Sequence, residues 1–174
     1  MNSGQNKSLT YFNEKMKLVS SMKLRLREIR EKHDLTVREM AKKMKISKSY
    51  YSAFETGEKV IPLNHLINFC NLFHLSIDYV LGIKDFNIVP KRRLTFKEDI
   101  YFKRIREIRK SNKLTQKQLA EAIKIEQPTL SSYETGHSIM PTATLYPLCK
   151  KLNVSADYVL GFTNTMNIIV DTLH

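Results

Sequence analysis

Tryptophan is absent from this chain, and cysteine, glycine and proline are sparse, with two, five and five residues in 174. Each scarcity closes off a class of protein. Cys70 and Cys149 cannot build a disulfide framework. Each falls on an apolar helical face, so both read as reduced core residues rather than a bridge or a metal pair. The glycines are scattered, which excludes a Gly-rich loop able to cradle phosphates. No apolar run approaches the roughly 20 residues a membrane helix needs, and the N-terminus lacks the regions of a secretion signal. The expected placement is therefore intracellular and cytoplasmic. His33, His65, His74, His137 and His174 have no carboxylate or cysteine at ligand spacing, and no serine or cysteine sits in a nucleophile context. The sequence thus argues against an enzyme, a metal site or a cofactor.

Acidic residues are also in deficit: 17 against 29 lysines and arginines, a formal net charge of +12. A basic excess favours a polyanion such as nucleic acid, or an anionic membrane surface. The excess is uneven. Residues 26–82 carry +2 and residues 105–161 carry +3, whereas residues 1–25 and 83–104 carry +4 each and the tail −1.

What the chain does contain is a repeat. Leu35 to Gly57 reads LTVREMAKKMKISKSYYSAFETG, and Leu114 to Gly136, 79 residues later, reads LTQKQLAEAIKIEQPTLSSYETG. At that offset 22 of 57 positions are identical between residues 26–82 and 105–161. The repeat overrides the single-domain expectation that length alone suggests. A unit of this size is near the lower limit for a helical domain that folds alone, and leaves no room for a small-molecule domain.

Each copy spells a short helix, a tight turn and a second short helix. In the second copy Thr115 and Gln118 have the spacing of a capping box, and Leu119, Ala120 and Ile123 fall on one face. Ala120 is small where a following helix must cross closely. Lys124 and Ile125 make the turn. Glu126 precedes a helix that tolerates Pro128 in its first turn, buries Leu130 and Tyr133, and stops at Gly136. The first copy repeats this with Thr36, then Val37, Met40, Ala41 and Met44 inward, Ile46 at the turn, Ser47 as N-cap, Tyr51 and Phe54 inward, and Gly57 as the stop. A helix from between Asn13 and Ser21 to about Lys32 is expected to precede it, with Met22, Leu26 and Ile29 inward. Helices from Pro62 to Phe73 and around Ser76 to Leu81 follow. In the second copy a capping box of Thr95 with Glu98 is expected to open a helix to about Ser111, and Pro147 to kink its helix or shift the start.

Thr115, Gln116, Leu119, Ala120, Ser131, Tyr133, Glu134 and Gly136 match the T-Q-x-x-L-A…S-x-Y-E-x-G pattern of the Cro-type phage-repressor, or Xre, family. The chain resembles that family over both repeats, roughly two thirds of its length. The resemblance implies an all-α protein: two tandem five-helix lambda-repressor-like helix-turn-helix domains joined by a short basic linker. The expected boundaries are an arm at 1–20, domains at 21–83 and 96–162, a linker at 84–95 and a tail at 163–174.

In such a fold the second helix enters the major groove and offers its N-terminal residues to base edges. The expected base contacts are Gln127, Pro128, Thr129 and Ser132 in the second copy and Lys48, Ser49, Tyr50 and Ala53 in the first. Gln127 suits adenine, Lys48 reaches a guanine edge or only a phosphate, and Tyr50 is either a contact or partly buried. Because the two sets differ, the two heads should prefer different sequences. The resemblance assigns Gln116 to the DNA backbone, and the first copy has Val37 there, which cannot serve. Lys42, Lys43, Lys45, Ser47 and Lys59 are the phosphate candidates of the first copy, and Lys117, Lys124 and Thr135 join Gln116 in the second. Lys91, Arg92 and Arg93 follow a backbone, enter a minor groove, or form a solvated linker. Arg30 with Glu55 and Arg109 with Glu134 have the family's spacing for a partly buried ion pair.

These readings point to a sequence-specific regulator of a phage, plasmid or other mobile element, most readily a repressor, binding duplex operator DNA as a homo-oligomer. Apolar stretches at Leu9, Tyr11 and Phe12 and at Met166 to Val170 are the places to look for the oligomer contact. The tail could instead pack back on its own domain. The second class is an antitoxin or antirepressor that uses the same fold to bind protein, and any inducer is expected to be another protein.

Overall fold

The helices begin where short polar side chains satisfy the first free N–H groups. Thr36 Oγ1 accepts from the Glu39 N–H at 3.2 Å while the Glu39 carboxylate accepts from the Thr36 N–H at 2.8 Å. Thr115 and Gln118 repeat that exchange at 3.1 and 2.8 Å. Ser47, Ser76 and Ser155 each accept from the N–H three residues on. Such caps are worth about 1 kcal/mol each. The elements end on left-handed residues, and these too recur 79 residues apart: Asp34 and Lys113, Lys45 and Lys124, Gly57 and Gly136, His74 and Asn153, Gly82 and Gly161.

The computed structural model describes residue 22, residues 24–89 and residues 91–166. Among these residues the signals produce ten helices and no extended strand. They fall into two compact units, one within Val19–Leu94 and the other within Thr95–His174. The first contains α1 (Leu26–Lys32), α2 (Val37–Met44), α3 (Lys48–Glu55), α4 (Leu63–Phe73) and α5 (Ile77–Val80). The second contains α6 (Glu98–Ser111), α7 (Gln116–Ala122), α8 (Gln127–Thr135), α9 (Thr142–Leu152) and α10 (Ala156–Val159).

Leu26, Met40, Tyr51, Phe54, Leu66, Phe69 and Ile77 form the first core, and Tyr101, Ile105, Ile108, Leu119, Leu130, Leu145 and Leu148 the second. Each such side chain contributes roughly 1.5–3 kcal/mol on burial. Ala41 and Ala120 are buried where α2 packs on α3 and α7 on α8. Cys70 and Cys149 are buried free thiols.

Each unit is closed by an arginine. Arg25 Nη1 donates to the carbonyls of Tyr79 (2.8 Å) and Lys84 (2.6 Å), Nη2 donates to Asp85 Oδ1 (2.7 Å), and the guanidinium covers the Tyr79 ring at 4.5 Å. Arg104 repeats the clamp on the carbonyls of Tyr158 and Thr163 and on Asn164 Oδ1, over the Tyr158 ring at 4.2 Å. The repeat therefore reaches beyond residues 26–82 and 105–161. The clamp also corrects the expected first helix. Arg25 N–H donates to the Val80 carbonyl at 3.0 Å, so Arg25 is held against the end of the unit rather than inside a helix, and Met22 lies outside α1. The expected start between Asn13 and Ser21 lies outside the described residues, as do Leu9, Tyr11, Phe12 and the stretch from Asn167 onward. Met166 is described, and its carbonyl accepts from the Ser155 N–H at 2.8 Å.

The expected capping box of Thr95 with Glu98 does not form. Lys97 is the N-cap of α6 and makes no side-chain cap bond, so Thr95 sits two residues too early. Phe96 instead lies against Tyr101, ring centroids 5.3 Å apart, which is the apolar staple a residue before the cap makes with the fourth helical residue. Pro147 lies inside α9 without moving its start: Thr142 still matches Leu63 of α4. Pro62 and Pro141 are N-caps rather than first-turn residues.

The segment after α5 is tied to the first unit. Lys84 pairs with Asp78 at 2.9 Å in a buried setting, the Asn87 amide bridges Ser76 N–H (2.9 Å) and the His74 carbonyl (3.3 Å), and the Asn71 amide brackets Leu94 N–H (2.7 Å) and carbonyl (2.9 Å). Lys91, Arg92 and Arg93 are exposed on this held segment.

Candidate nucleic-acid interface

In the second unit the outer end of α8 is wired to the core. Arg109 Nε and Nη2 donate to the two carboxylate oxygens of Glu134 at 2.5 and 2.9 Å, and Nη1 donates to the Leu114 carbonyl at 2.9 Å. The Glu134 side chain is 1% exposed. Gln116 Nε2 donates to Glu134 Oε2 at 2.9 Å, and Gln127 Nε2 donates to Gln116 Oε1 at 2.9 Å.

Charge orients this chain of amides. A carboxylate can only accept, so the Gln116 atom beside Glu134 must be its NH₂, and the Gln116 carbonyl oxygen must face Gln127. Gln127 then turns its NH₂ inward and presents Oε1, with one remaining N–H, to the outside. An acceptor beside a donor is the pattern that adenine matches in the major groove. Burial alone would raise the Glu134 pKa. The donors Arg109 and Gln116, with the charges of Arg109 and Arg106, outweigh it and hold the carboxyl below its ordinary value. The Arg109 pKa is raised, first by its hydrogen bond to Glu134.

The first unit keeps the ion pair and loses the relay. Arg30 Nε and Nη2 donate to Glu55 at 2.7 and 3.1 Å, Nη1 donates to the Leu35 carbonyl at 2.7 Å, and Arg27 Nε stands 3.7 Å from Glu55. Val37 occupies the place of Gln116 and has nothing to donate. Lys48 and Ser49 are exposed at the start of α3. Tyr50 is half-buried: its ring meets Phe54 edge-on at 4.6 Å and His65 at 6.0 Å, and Lys59 Nζ lies 5.5 Å above it. The Tyr50 ring is thus packed yet reaches the surface. The Tyr51 hydroxyl beneath is buried beside Glu55 and Arg30, and burial, then Glu55, pushes its pKa up.

Ala53 is a correction to the expected base contacts. It is buried, because the loop after α3 folds over it and Lys59 N–H donates to its carbonyl at 2.9 Å. Ser132, its counterpart, is half-buried, with Oγ 2.8 Å from Ser138 Oγ. Gln127 and Pro128 are exposed and Thr129 is half-buried.

Of the phosphate candidates, Lys42, Lys43, Lys45, Lys59 and Lys117 are exposed, while Lys124 and Gln116 are half-buried. Ser47 is engaged as the cap of α3. Thr135 donates to the Ser131 carbonyl at 2.8 Å and meets His137 Nδ1 at 2.7 Å. A shallow groove between α7 and α8 is lined by Lys117, Ala120, Glu121, Ile125, Glu126 and Gln127. Sequence reasoning missed the bond from Gln116 to Glu134 and the arginine clamps. The matching distances Arg25–Tyr79 and Arg104–Tyr158, both 54 residues, could have exposed the clamps. Among the described residues no group of three histidine, cysteine, aspartate or glutamate side chains could hold a metal ion, and no helix is long and apolar enough to cross a membrane.

The sequence that builds these helices is similar to known proteins. The helix-turn-helix family model HTH_3 matches residues 26–80 and again residues 105–159. The chain belongs to the Xre-type helix-turn-helix family. Helix-turn-helix regulators of this kind bind DNA to control transcription and are typically non-enzymatic. The chain is 41% identical over 61 residues to the uncharacterized HTH-type transcriptional regulator YobD of Bacillus subtilis, covering 35% of this chain and 54% of that protein. It is 42% identical over 59 residues to the HTH-type transcriptional regulator ImmR of the same organism, covering 34% and 46%. It is 35% identical over 69 residues to the antitoxin PezA of Streptococcus pneumoniae, covering 40% and 44%. The chain spans about half the length of these curated relatives. No solved structure matches the chain.

Proposed function

We propose that this protein is a transcriptional repressor of a mobile element that reads a bipartite duplex operator through α3 and α8. The observation that carries this reading is the relay Arg109–Glu134–Gln116–Gln127, which aims an oriented amide outward from an exposed helix start. Side chains fixed from behind lose less freedom on binding and discriminate more sharply. Gln127 reads an adenine, Thr129 and Pro128 approach a thymine methyl, and Lys117, Lys124 and the second N–H of Gln116 hold the backbone, while Thr135 spends its hydroxyl hydrogen on Ser131. In the first head Lys48, Ser49 and Tyr50 read bases, and Lys42, Lys43, Lys45, Ser47 and Lys59 hold phosphates. Lys91, Arg92 and Arg93 add sequence-independent attraction between the heads. A homo-oligomer multiplies the heads and imposes its symmetry on the operator. The mobile-element setting rests on the phage-repressor resemblance.

Selection from random duplex DNA followed by footprinting tests this. Gln127→Ala is expected to cost about 1–3 kcal/mol at one base pair of one half-site, as loss of a bidentate contact does. Lys48→Ala should weaken only the other half. Unchanged footprints in both variants would overturn the two-headed reading.

One observation favours a second reading. PezA is named as an antitoxin, and the likeness to it covers 69 residues. On that reading the chain is an antitoxin or antirepressor whose helical surfaces bind protein. Stoichiometric capture of a protein partner, with no footprint on any selected duplex, would decide for it.

A further inference from the structure

We propose that the end of α4 and the held segment after α5 form a docking surface for another protein, taking an acidic stretch of it that also carries large apolar side chains.

Of the five large apolar side chains exposed among the described residues, four lie here: Leu72, Phe86, Ile88 and Val89, the last 62% exposed. Apolar side chains scattered singly over a surface need no explanation, but a cluster of them marks an interaction site. The fold does not demand this cluster. At the places of Leu72 and Phe86 the second unit has Lys151 and Thr165, both exposed.

Two amides hold the cluster in position. Ser76 N–H donates to Asn87 Oδ1 at 2.9 Å, and Asn87 Nδ2 donates to the His74 carbonyl at 3.3 Å. This fixes the stretch that carries Phe86, Ile88 and Val89 at the end of α4. Leu94 N–H donates to Asn71 Oδ1 at 2.7 Å, and Asn71 Nδ2 donates back to the Leu94 carbonyl at 2.9 Å. This fixes the stretch that carries Lys91, Arg92 and Arg93 against the same helix. Leu72, Arg92 and Arg93 line one groove with Asn68, Asn71 and His74, so the apolar and the basic parts are continuous. A surface already ordered loses little freedom when a partner arrives.

Charge selects the partner. Lys91, Arg92 and Arg93 are exposed, and among the described residues none of them makes an ion pair. The neighbouring carboxylates are taken: Asp85 pairs with Arg25 at 2.7 Å and Asp78 with Lys84 at 2.9 Å. Duplex DNA could meet the three cations, but its phosphates gain nothing from the apolar cluster. A second copy joined through the same surface would set these cations against themselves, on a chain of net charge +12. The ends of this chain do not supply the complement either. Residues 1–21 hold Glu14 against Lys7, Lys15 and Lys17, and residues 167–174 hold Asp171 alone. An acidic and apolar stretch of a different protein satisfies both features together. None of these residues lies in α3 or α8, so the surface stands separately from the reading of DNA. Its occupation takes three cations away from DNA, a consequence that rests on the role proposed for them above.

The test selects peptides from a random displayed library on the full chain. Enriched peptides should combine aspartate or glutamate with leucine, isoleucine or phenylalanine, and should bind more weakly as salt rises. Arg92→Glu with Arg93→Glu should weaken them by about tenfold or more. Ile88→Asp with Val89→Asp should weaken them by about as much, tenfold or more. Both variants should keep the wild-type melting curve, because all four side chains are exposed. Leu72→Lys, which installs the second unit's residue, should give a smaller loss. Enriched peptides without acidic residues, no enrichment, or binding unchanged in both double variants would overturn the inference. So would self-association of the wild type that Ile88→Asp with Val89→Asp abolishes, since a second copy would then be the occupant. Loss of duplex binding in that same variant would overturn it in favour of DNA. Failure of the wild type to retain any duplex would overturn the DNA reading and leave this surface standing.

Discussion

The two units share a backbone down to their left-handed residues, yet the second carries a polar relay from core to surface and the first does not. Both bury an arginine–glutamate pair. In the second unit Glu134 also takes an amide from Gln116, and Gln116 takes one from Gln127. In the first, Val37 ends the chain of bonds at Glu55, and the outer end of α3 is braced by aromatic contacts around Tyr50. One fold therefore supports two ways of stiffening a recognition helix, one directional and one steric. A directional brace dictates which atom faces out, whereas a steric brace dictates only where the ring lies. On the proposed reading, the second unit is the better suited to telling one base from another.

The largest expected effect sharpens this contrast at the ion pairs. Removing one member of a buried pair costs about 3–5 kcal/mol, because the survivor stays charged and alone. Glu134→Ala should unfold the second unit before any base preference changes, and Glu55→Ala should destabilise the first less, since Arg30 keeps Glu31 at 3.2 Å. Glu134 should be the costlier loss, since Gln116 is stranded as well. Hydrogen exchange resolved by unit reads this directly, and protection unchanged from wild type in Glu134→Ala would break the comparison.

A smaller effect separates the two helix stops. Gly57 and Gly136 are both left-handed, at φ +76° and +84°. A Cβ on Gly57 would meet nothing within 4 Å, while one on Gly136 would sit 2.7 Å from the Phe102 ring. Gly57→Ala should cost about 1 kcal/mol, the left-handed penalty alone. Gly136→Ala should add roughly 1–3 kcal/mol of overpacking to it. Equal melting shifts would show that Phe102 moves aside freely.

The mildest effect is acid sensitivity of the second unit. The Glu134 carboxyl is held below its ordinary value in the folded state. Its contribution is therefore complete above about pH 5 and is lost as the pH falls through the ordinary carboxylate value toward the depressed one. Stability of the second unit should decline over that window, and Glu134→Gln should flatten the slope at a lower plateau.

Much of this was legible in the sequence because it lies in short-range pattern. The capping pairs Thr36–Glu39 and Thr115–Gln118, the stops at Gly57 and Gly136, and the alternation of Leu119, Ala120 and Ile123 are each local. The Arg109–Glu134 pair was legible only through resemblance, because 25 residues separate its members. What stayed hidden depends on carbonyls and on crossing distance. The targets of Arg25 and Arg104 are mostly backbone oxygens, which any residue supplies, so no side-chain pattern marks them. Ala53 read as a base contact only as the counterpart of Ser132, but it is buried, and the returning loop at Lys59 bonds to its carbonyl. Thr95 and Glu98 had the spacing of a cap, but the helix starts at Glu98 with Phe96 against Tyr101, which leaves Thr95 outside it.

The arginine clamps have an evolutionary consequence. Each guanidinium fastens the residue entering a unit to the carbonyls of the residues leaving it, so entry and exit stand side by side. A module whose two ends meet can be copied head to tail, excised, or spliced into another gene without disturbing its interior. The 79-residue duplication is what such a module leaves behind, and a chain cut between α2 and α3 and rejoined at the clamp should still find its way to the same bundle.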